Sequence, residues 1–192
     1  DPTSSYAMAA AFAMGRAMDD VIITAATADA STGVAGGTTT ALPSGQIIAE
    51  AGTTGMTIAK LREAKEILDL ADVDPSLPRF IVVSPKQITD LLGTTEVTSS
   101  DFNTVKALAS GDVNSFLGFN FVVSNRLAVA SSIRDCIAFV SDGITLALGK
   151  DVTARIDERA DKGYATQVYY SMAIGATRME EEKVVKVQAY EA

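Results

Sequence analysis

The sequence contains no histidine and only one cysteine among its 192 residues. Without imidazole it lacks the commonest general base, the usual zinc ligand and every Ser–His or Cys–His nucleophile pair. Cys136 alone cannot close an internal disulfide or build a multi-thiolate metal site, so packing must hold the fold together. Long apolar runs are missing too. Phe80–Val83 and Ile133–Val140 fall far short of the roughly 20 residues a membrane helix needs, and no transmembrane span is expected. Positive charge is in deficit: 16 Lys and Arg stand against 24 Asp and Glu, a formal net charge of −8. That balance argues against a protein whose main task is gripping nucleic acid, because such affinity comes largely from cations neutralising phosphates. The chain opens on Asp1–Pro2 without Met and without a basic-plus-apolar leader, which reads as a processed, truncated or partly represented polypeptide.

What is present is ordinary globular material, 47% hydrophobic and 21% charged, enough for one domain or two small ones sharing a core. Asp1 and Pro2 read as an N-cap and first-turn pair opening a long helix to about Ala28, with Met8, Ala11, Gly15, Met18, Ile22 and Ala25 at helical spacing. Its many alanines make a thin rod that neighbours can approach closely. Residues 29–45 turn to Ser, Thr, Gly and Ala and read as a loop or flexible excursion. A second helix carries Ile58, Leu61, Ala64, Ile67, Leu68 and Ala71 on one face, with Arg62–Glu66 and Lys65–Asp69 as i,i+4 pairs on the other. Phe80–Ser84 reads as a buried strand, and Ser84–Pro85 opens a helix that Gly93 closes. Ser100 or Asp101 caps a short helix with Phe102, Val105, Leu108 and Ala109 inward and Gly111 just past its end. Phe119–Val123 and Ile133–Val140 read as further strands, whereas Asp142–Leu148 is ambiguous between strand and helical turn. Beyond Gly149 the period is two. Val152, Ala154 and Ile156 alternate with polar residues, and Tyr164, Thr166, Val168, Tyr170, Met172, Ile174 and Ala176 form one face of a long strand. Val185, Val187 and Ala189 then return as its expected partner in an antiparallel sheet.

No catalytic constellation stands out. Asp19–Asp20 and Asp72-x-Asp74 lack the glycine of a calcium loop, and Gly33, Gly36 and Gly37 are not followed by the Lys-Ser or Lys-Thr of a phosphate loop. There is no G-x-S-x-G elbow and no Ser with Lys three residues on. Cys136, between apolar neighbours, reads as a small buried hydrophobe.

From Gly93 onward the stretches VTSSDFNTVKALASGDVNSFLGFNFVVSNRL (Val97–Leu127) and LALGKDVTARIDERADKGYATQVYYSMAIGATRMEEEKVVKV (Leu146–Val187), with the earlier GRAMDDVIITA (Gly15–Ala25), resemble major capsid proteins of tailed double-stranded DNA bacteriophages. The resemblance implies an α+β fold of the Hong Kong 97 type. Such a fold has a peripheral domain, built on a long spine helix and antiparallel strands, and an inserted α/β axial domain. Mapped onto this chain, residues 1–57 and 148–192 make the peripheral domain and residues 58–147 the axial domain. The N-terminal arm and extended loop usual in the family have no counterpart in the sequence.

The implied function is a structural shell protein with no cofactor, no metal and no catalytic residues. It would self-assemble as pentamers and hexamers into an icosahedral virion capsid in the bacterial host cytoplasm. Implied partners are other copies of itself, a portal, and scaffolding or decoration proteins. It would enclose DNA without sequence-specific binding and contact no membrane. Candidate subunit-interface residues are Arg155, Asp157, Glu158, Arg159, Asp161 and Lys162, with Arg178, Glu180, Glu181 and Glu182 as a second set. Their mixed signs beside strands suit ion pairs across a seam, although a solvated hairpin turn has the same composition. Two other readings compete: a nanocompartment shell of the same fold enclosing cargo enzymes, and a glycosidase working with two carboxylates alone.

Overall fold

The computed structural model describes residues 2–50, 52–93 and 115–191. Helix α1 (Pro2–Thr27) fills the expected small-residue segment, its alanines supplying intrinsic helix propensity. Its covered face is Ala7, Ala10, Met14, Met18, Val21 and Ala25, all half-buried, with Ala26 fully buried. The expected Met8, Ala11 and Gly15 lie one position off this face and are exposed. A helix that is small or apolar on nearly every side carries no periodic signal for which side is covered. Residues 29–45, expected as loop, fold into a short hairpin of β1 (Ala30–Thr32) and β2 (Thr38–Thr40), followed by β3 (Ile47–Ile48).

Helix α2 (Ile58–Leu70) is capped by Thr57, whose hydroxyl accepts from the Lys60 amide at 3.3 Å. It buries Ile58, Leu61, Ala64 and Leu68, the expected face. Asp69 does not pair with Lys65: its carboxylate lies 2.7 Å from Arg79 Nη1. Next come β4 (Arg79–Val83) and α3 (Pro85–Leu92), which starts on Ser84–Pro85 and ends at Gly93 as read from the sequence. The expected helix around Phe102–Gly111 lies outside the described residues. The remaining strands are β5 (Ser115–Phe116), β6 (Phe119–Val123), β7 (Val129–Ala130), β8 (Ile133–Val140), β9 (Ile144–Arg159), β10 (Ala165–Arg178) and β11 (Val184–Tyr190).

Besides the β1–β2 hairpin, two bodies of sheet result. The central mixed sheet has the order β3-β11-β8-β4-β6-β5, with β7 also on β8; β3–β11 and β4–β6 are parallel and the other pairs antiparallel. Its core joins Leu61 and Leu68 of α2 to Ile81, Val83, Phe119, Cys136, Ala138, Val140 and the β11 valines. The second body is a two-stranded antiparallel ribbon of β9 and β10, with α1 laid along β10.

Strand β11 corrects the sequence reading. It was expected to return beside Tyr164–Thr177 under the first helix, yet it pairs with β8 and β3 and packs on α2. Val184, Val185, Val187 and Ala189 are all fully buried, so adjacent residues on both faces need cover. Only the central sheet supplies that; the ribbon is covered on one face at most. Helix α2 shares the core with β4, as expected, although its nearest strands are β11 and β3. The ambiguous Asp142–Leu148 becomes the start of β9, which runs without a break through the position between residues 147 and 148 where a domain boundary was expected.

Candidate interaction surface

The ribbon closes at its tip with Gly163 (φ +66°) followed by Tyr164 (φ +59°), the Tyr164 amide donating to Arg159 O at 2.9 Å. Glycine adopts the left-handed region freely; tyrosine does so at a cost, and Tyr164 is nevertheless 72% exposed. Register is Arg155 beside Tyr169, Asp157 beside Gln167 and Glu158 beside Thr166. The even-numbered face of β10 lies on α1, as its alternation predicts: Val168, Tyr170, Met172, Ile174 and Ala176 are half-buried, and the Tyr170 hydroxyl donates to Ala7 O at 3.2 Å. Beyond this contact with the second turn of α1 the ribbon projects without cover, and every residue from Ala154 to Thr166 is exposed.

On this projection lie six of the sequence-derived candidates. Arg155, Asp157 and Glu158 belong to the strand itself rather than to a turn. Arg159 and Asp161 form a local pair, with Nε at 2.9 Å and Nη2 at 2.5 Å from the carboxylate, and Arg159 holds the Asp161 carboxyl below the usual carboxylate range. Lys162 is exposed beside them. The second set separates. Glu180 pairs with Lys183 at 3.0 Å, Glu181 is half-buried and Glu182 is exposed.

Arg178 must be removed from the surface set. It is 4% exposed and ties the end of α1 to the ribbon and the small hairpin, Nη1 donating to Ala26 O (3.2 Å) and Ala28 O (2.8 Å) and Nη2 to Thr40 O (3.0 Å). A guanidinium there satisfies orphan carbonyls and complements the negative end of the helix, so this charge serves inside the fold.

Sequence reasoning missed the apolar part of the surface. Tyr6, Met8 and Phe12 stand exposed on the outer side of α1, and Leu148, Ile156 and Tyr169 on the ribbon. The uninterrupted apolar and small composition of α1 was the available signal. A cleft of about 200 Å³ separates the later part of α1 from the sheet, lined by Ile22, Ile23, Val82, Val122 and Phe139. Near it Asp20 accepts from Arg126, Nε to Oδ1 at 2.7 Å, which holds the Asp20 carboxyl below its usual value.

The polar groups elsewhere are structural. Lys60 is buried on Glu50 and donates to the carbonyls of Thr54 (2.9 Å), Gly55 (3.1 Å) and Gln188 (2.9 Å), fastening the 49–57 segment to α2 and β11. Glu191 takes a two-pronged contact from Arg134, with Nη2 at 2.9 Å, and accepts from Gln87 Nε2 at 3.1 Å; the Arg134 bond holds its carboxyl low. Burial pushes the Cys136 thiol up to about 12, leaving it protonated and inert. Asp74 is spent on the Ser76 amide at 2.8 Å. Among the described residues no cluster of acidic or thiol groups is arranged to hold a metal, and no helix is long and apolar enough to cross a membrane.

A family model described as phage capsid protein matches residues 1–191. No curated protein sequence is significantly similar. Among solved structures, a chain of Mycobacterium phage Che8 superposes with a TM-score of 0.68 at 18% identity, over 95% of this chain and 61% of that one. The head of Helicobacter pylori bacteriophage KHP40 gives 0.71 at 12% identity, over 100% and 70%. The holo-SrpI encapsulin of Synechococcus elongatus is less similar, with 0.52 at 10% identity over 78% and 55%. The chain thus spans about three fifths of the length of the Che8 chain.

Proposed function

The chain belongs to the phage capsid protein family and has its mixed helix-and-sheet fold of the Hong Kong 97 type; from this premise we propose that it is the major building block of an icosahedral virion shell enclosing double-stranded DNA. The observation that carries the reading is the family match over residues 1–191. The physical arrangement supports it. A shell subunit needs a stable body and surfaces that neighbours complete, and it needs no reactive pocket. The central sheet is such a body, and the projecting ribbon with the outer side of α1 is such a surface. Copies of the chain are the principal partners, grouped as pentamers and hexamers. The exposed Arg155, Asp157, Glu158 and Lys162, the Arg159–Asp161 pair and Glu180 and Glu182 line seams between them. A portal and scaffolding or decoration proteins complete the assembly in the host cytoplasm. The net charge of −8 lets packed DNA slide and leave, since a basic lining would hold phosphates.

The nanocompartment reading draws support from the encapsulin likeness, but that likeness is weaker than the phage ones. Electron microscopy and light scattering of the full-length protein, followed by nucleic-acid and protein analysis of purified particles, test both. Closed megadalton shells containing DNA are expected. Shells filled with an enzyme would select the nanocompartment, and a monomer under all assembly conditions would overturn both.

A further inference from the structure

The outer face of the ribbon, turned away from α1, carries charges that no other described residue neutralises. Lys150, Thr153, Arg155 and Asp157 of β9 share a groove of about 430 Å³ with Gln167 and Tyr169 of β10. Lys150 is engaged with Ser171 Oγ at 3.0 Å, and Arg159 with Asp161. Across the ladder Arg155 faces Tyr169 and Asp157 faces Gln167, so neither meets an opposite charge on its own ribbon. Among the described residues the side chains of Arg155 and Asp157 have no hydrogen-bond or ion-pair partner.

These two residues lie two positions apart on one strand, hence on one face and about 6.6 Å apart along it. A second ribbon laid face to face and running the opposite way brings its own Asp157 over Arg155 and its own Arg155 over Asp157. The pattern complements itself only in that inverted arrangement; a parallel one stacks like on like. The same stretch is bare on both faces beyond α1, and an isolated two-stranded ribbon is marginal in water. Tyr164 at its tip is held at positive φ while exposed. Such strain persists where other contacts determine the conformation.

We propose that the outer face of the β9–β10 ribbon docks onto the same face of a second copy about a two-fold axis, with Arg155 of each copy against Asp157 of the other. This contact rests on the shell reading and names one of its seams. The test uses Arg155→Asp, which makes both positions 155 and 157 acidic, Asp157→Arg, which makes both basic, and the variant carrying both changes, which restores the pattern inverted. Circular dichroism first establishes equal folding. Sedimentation and light scattering then measure the concentration at which each associates. Each single variant alone should need about tenfold more protein. The two singles mixed in equal amounts, and the doubly changed variant alone, should associate within twofold of the unchanged protein. Rescue by mixing is diagnostic, because a seam between unlike surfaces would leave each lost partner lost. Singles that associate normally at low and high salt, or a mixture no better than its parts, overturn the two-fold contact while leaving the shell reading intact. Dimers that obey the swap but never form shells would keep the contact and sink the shell reading, and a strictly monomeric unchanged protein would sink both.

Discussion

The central sheet and the ribbon are built from similar residue types with opposite outcomes. In β11 the valines at 184, 185 and 187 lose all contact with water, whereas on the ribbon Leu148 and Ile156 remain 57% and 53% exposed. Within the sheet β11 is buried on both faces, and the charges beside it are matched: buried Lys60 with Glu50, half-buried Glu191 with Arg134. The ribbon has one helix on one face, and past that helix it has nothing. The first region closes on itself, and the second leaves its outer surface open to solvent. At the base of the ribbon Arg178 spends its charge inside the fold, on the end of α1 and the small hairpin.

The sharpest way to break this contrast is to attack the matched charges. Lys60→Ala strands a carboxylate that is 1% exposed, and should destabilise the subunit by about 3–5 kcal/mol in urea unfolding. An apolar pair of similar size, Lys60→Met with Glu50→Leu, should recover only the part due to the stranded charge, because the carbonyls of Thr54, Gly55 and Gln188 still lose their donor. A loss no larger than that of a typical surface substitution would mean that the 49–57 segment is not part of the core.

Acid should come next in effect. The Glu191 carboxyl is held below its ordinary value of 4.5 by Arg134, so its contribution is present above about pH 4.5 and is lost as pH falls through its lower folded value. Melting temperature should therefore drop below pH 4.5, and Glu191→Gln should be less stable at neutral pH with a shallower acid limb. Parallel acid limbs in the two proteins would show that Glu191 does not fasten the chain end.

The smallest effect lies in the ribbon. Tyr164→Gly removes a side chain from a left-handed position and should stabilise the subunit by about 1 kcal/mol, seen as a higher melting temperature. If Tyr164 also belongs to a seam, the same variant should associate more weakly. A destabilised subunit would mean that the aromatic ring packs within its own ribbon.

Elements whose pattern is local were legible. The 3.6-residue repeat from Ile58 to Leu68, the Ser84–Pro85 start and Gly93 stop of α3, and the apolar run Ile133–Val140 each carry their own signal, and the structure has them in place. The hairpin at 30–40 was missed because Ser and Thr serve strands and loops alike. Six of the charged candidates lie together on the projecting part of the ribbon, but Arg178 was not separable from the others, since a charge shortly before three glutamates reads as surface until the end of α1 and Thr40 O are brought to it.

By itself the sequence determined the identity of the described helices and most strands, the lack of any histidine, and the alternation that sets one face of β10 toward a cover. Those follow from residue type and spacing along the chain. Tertiary structure alone decided that β11 enters the central sheet, that α1 turns Ala10 and Met14 inward with Met8 outward, and that Arg178 is internal. Each of these depends on which of several chemically adequate surfaces reaches the segment first in space. Burial rewards any apolar cover equally, so the choice belongs to the geometry of the whole chain and not to local pattern.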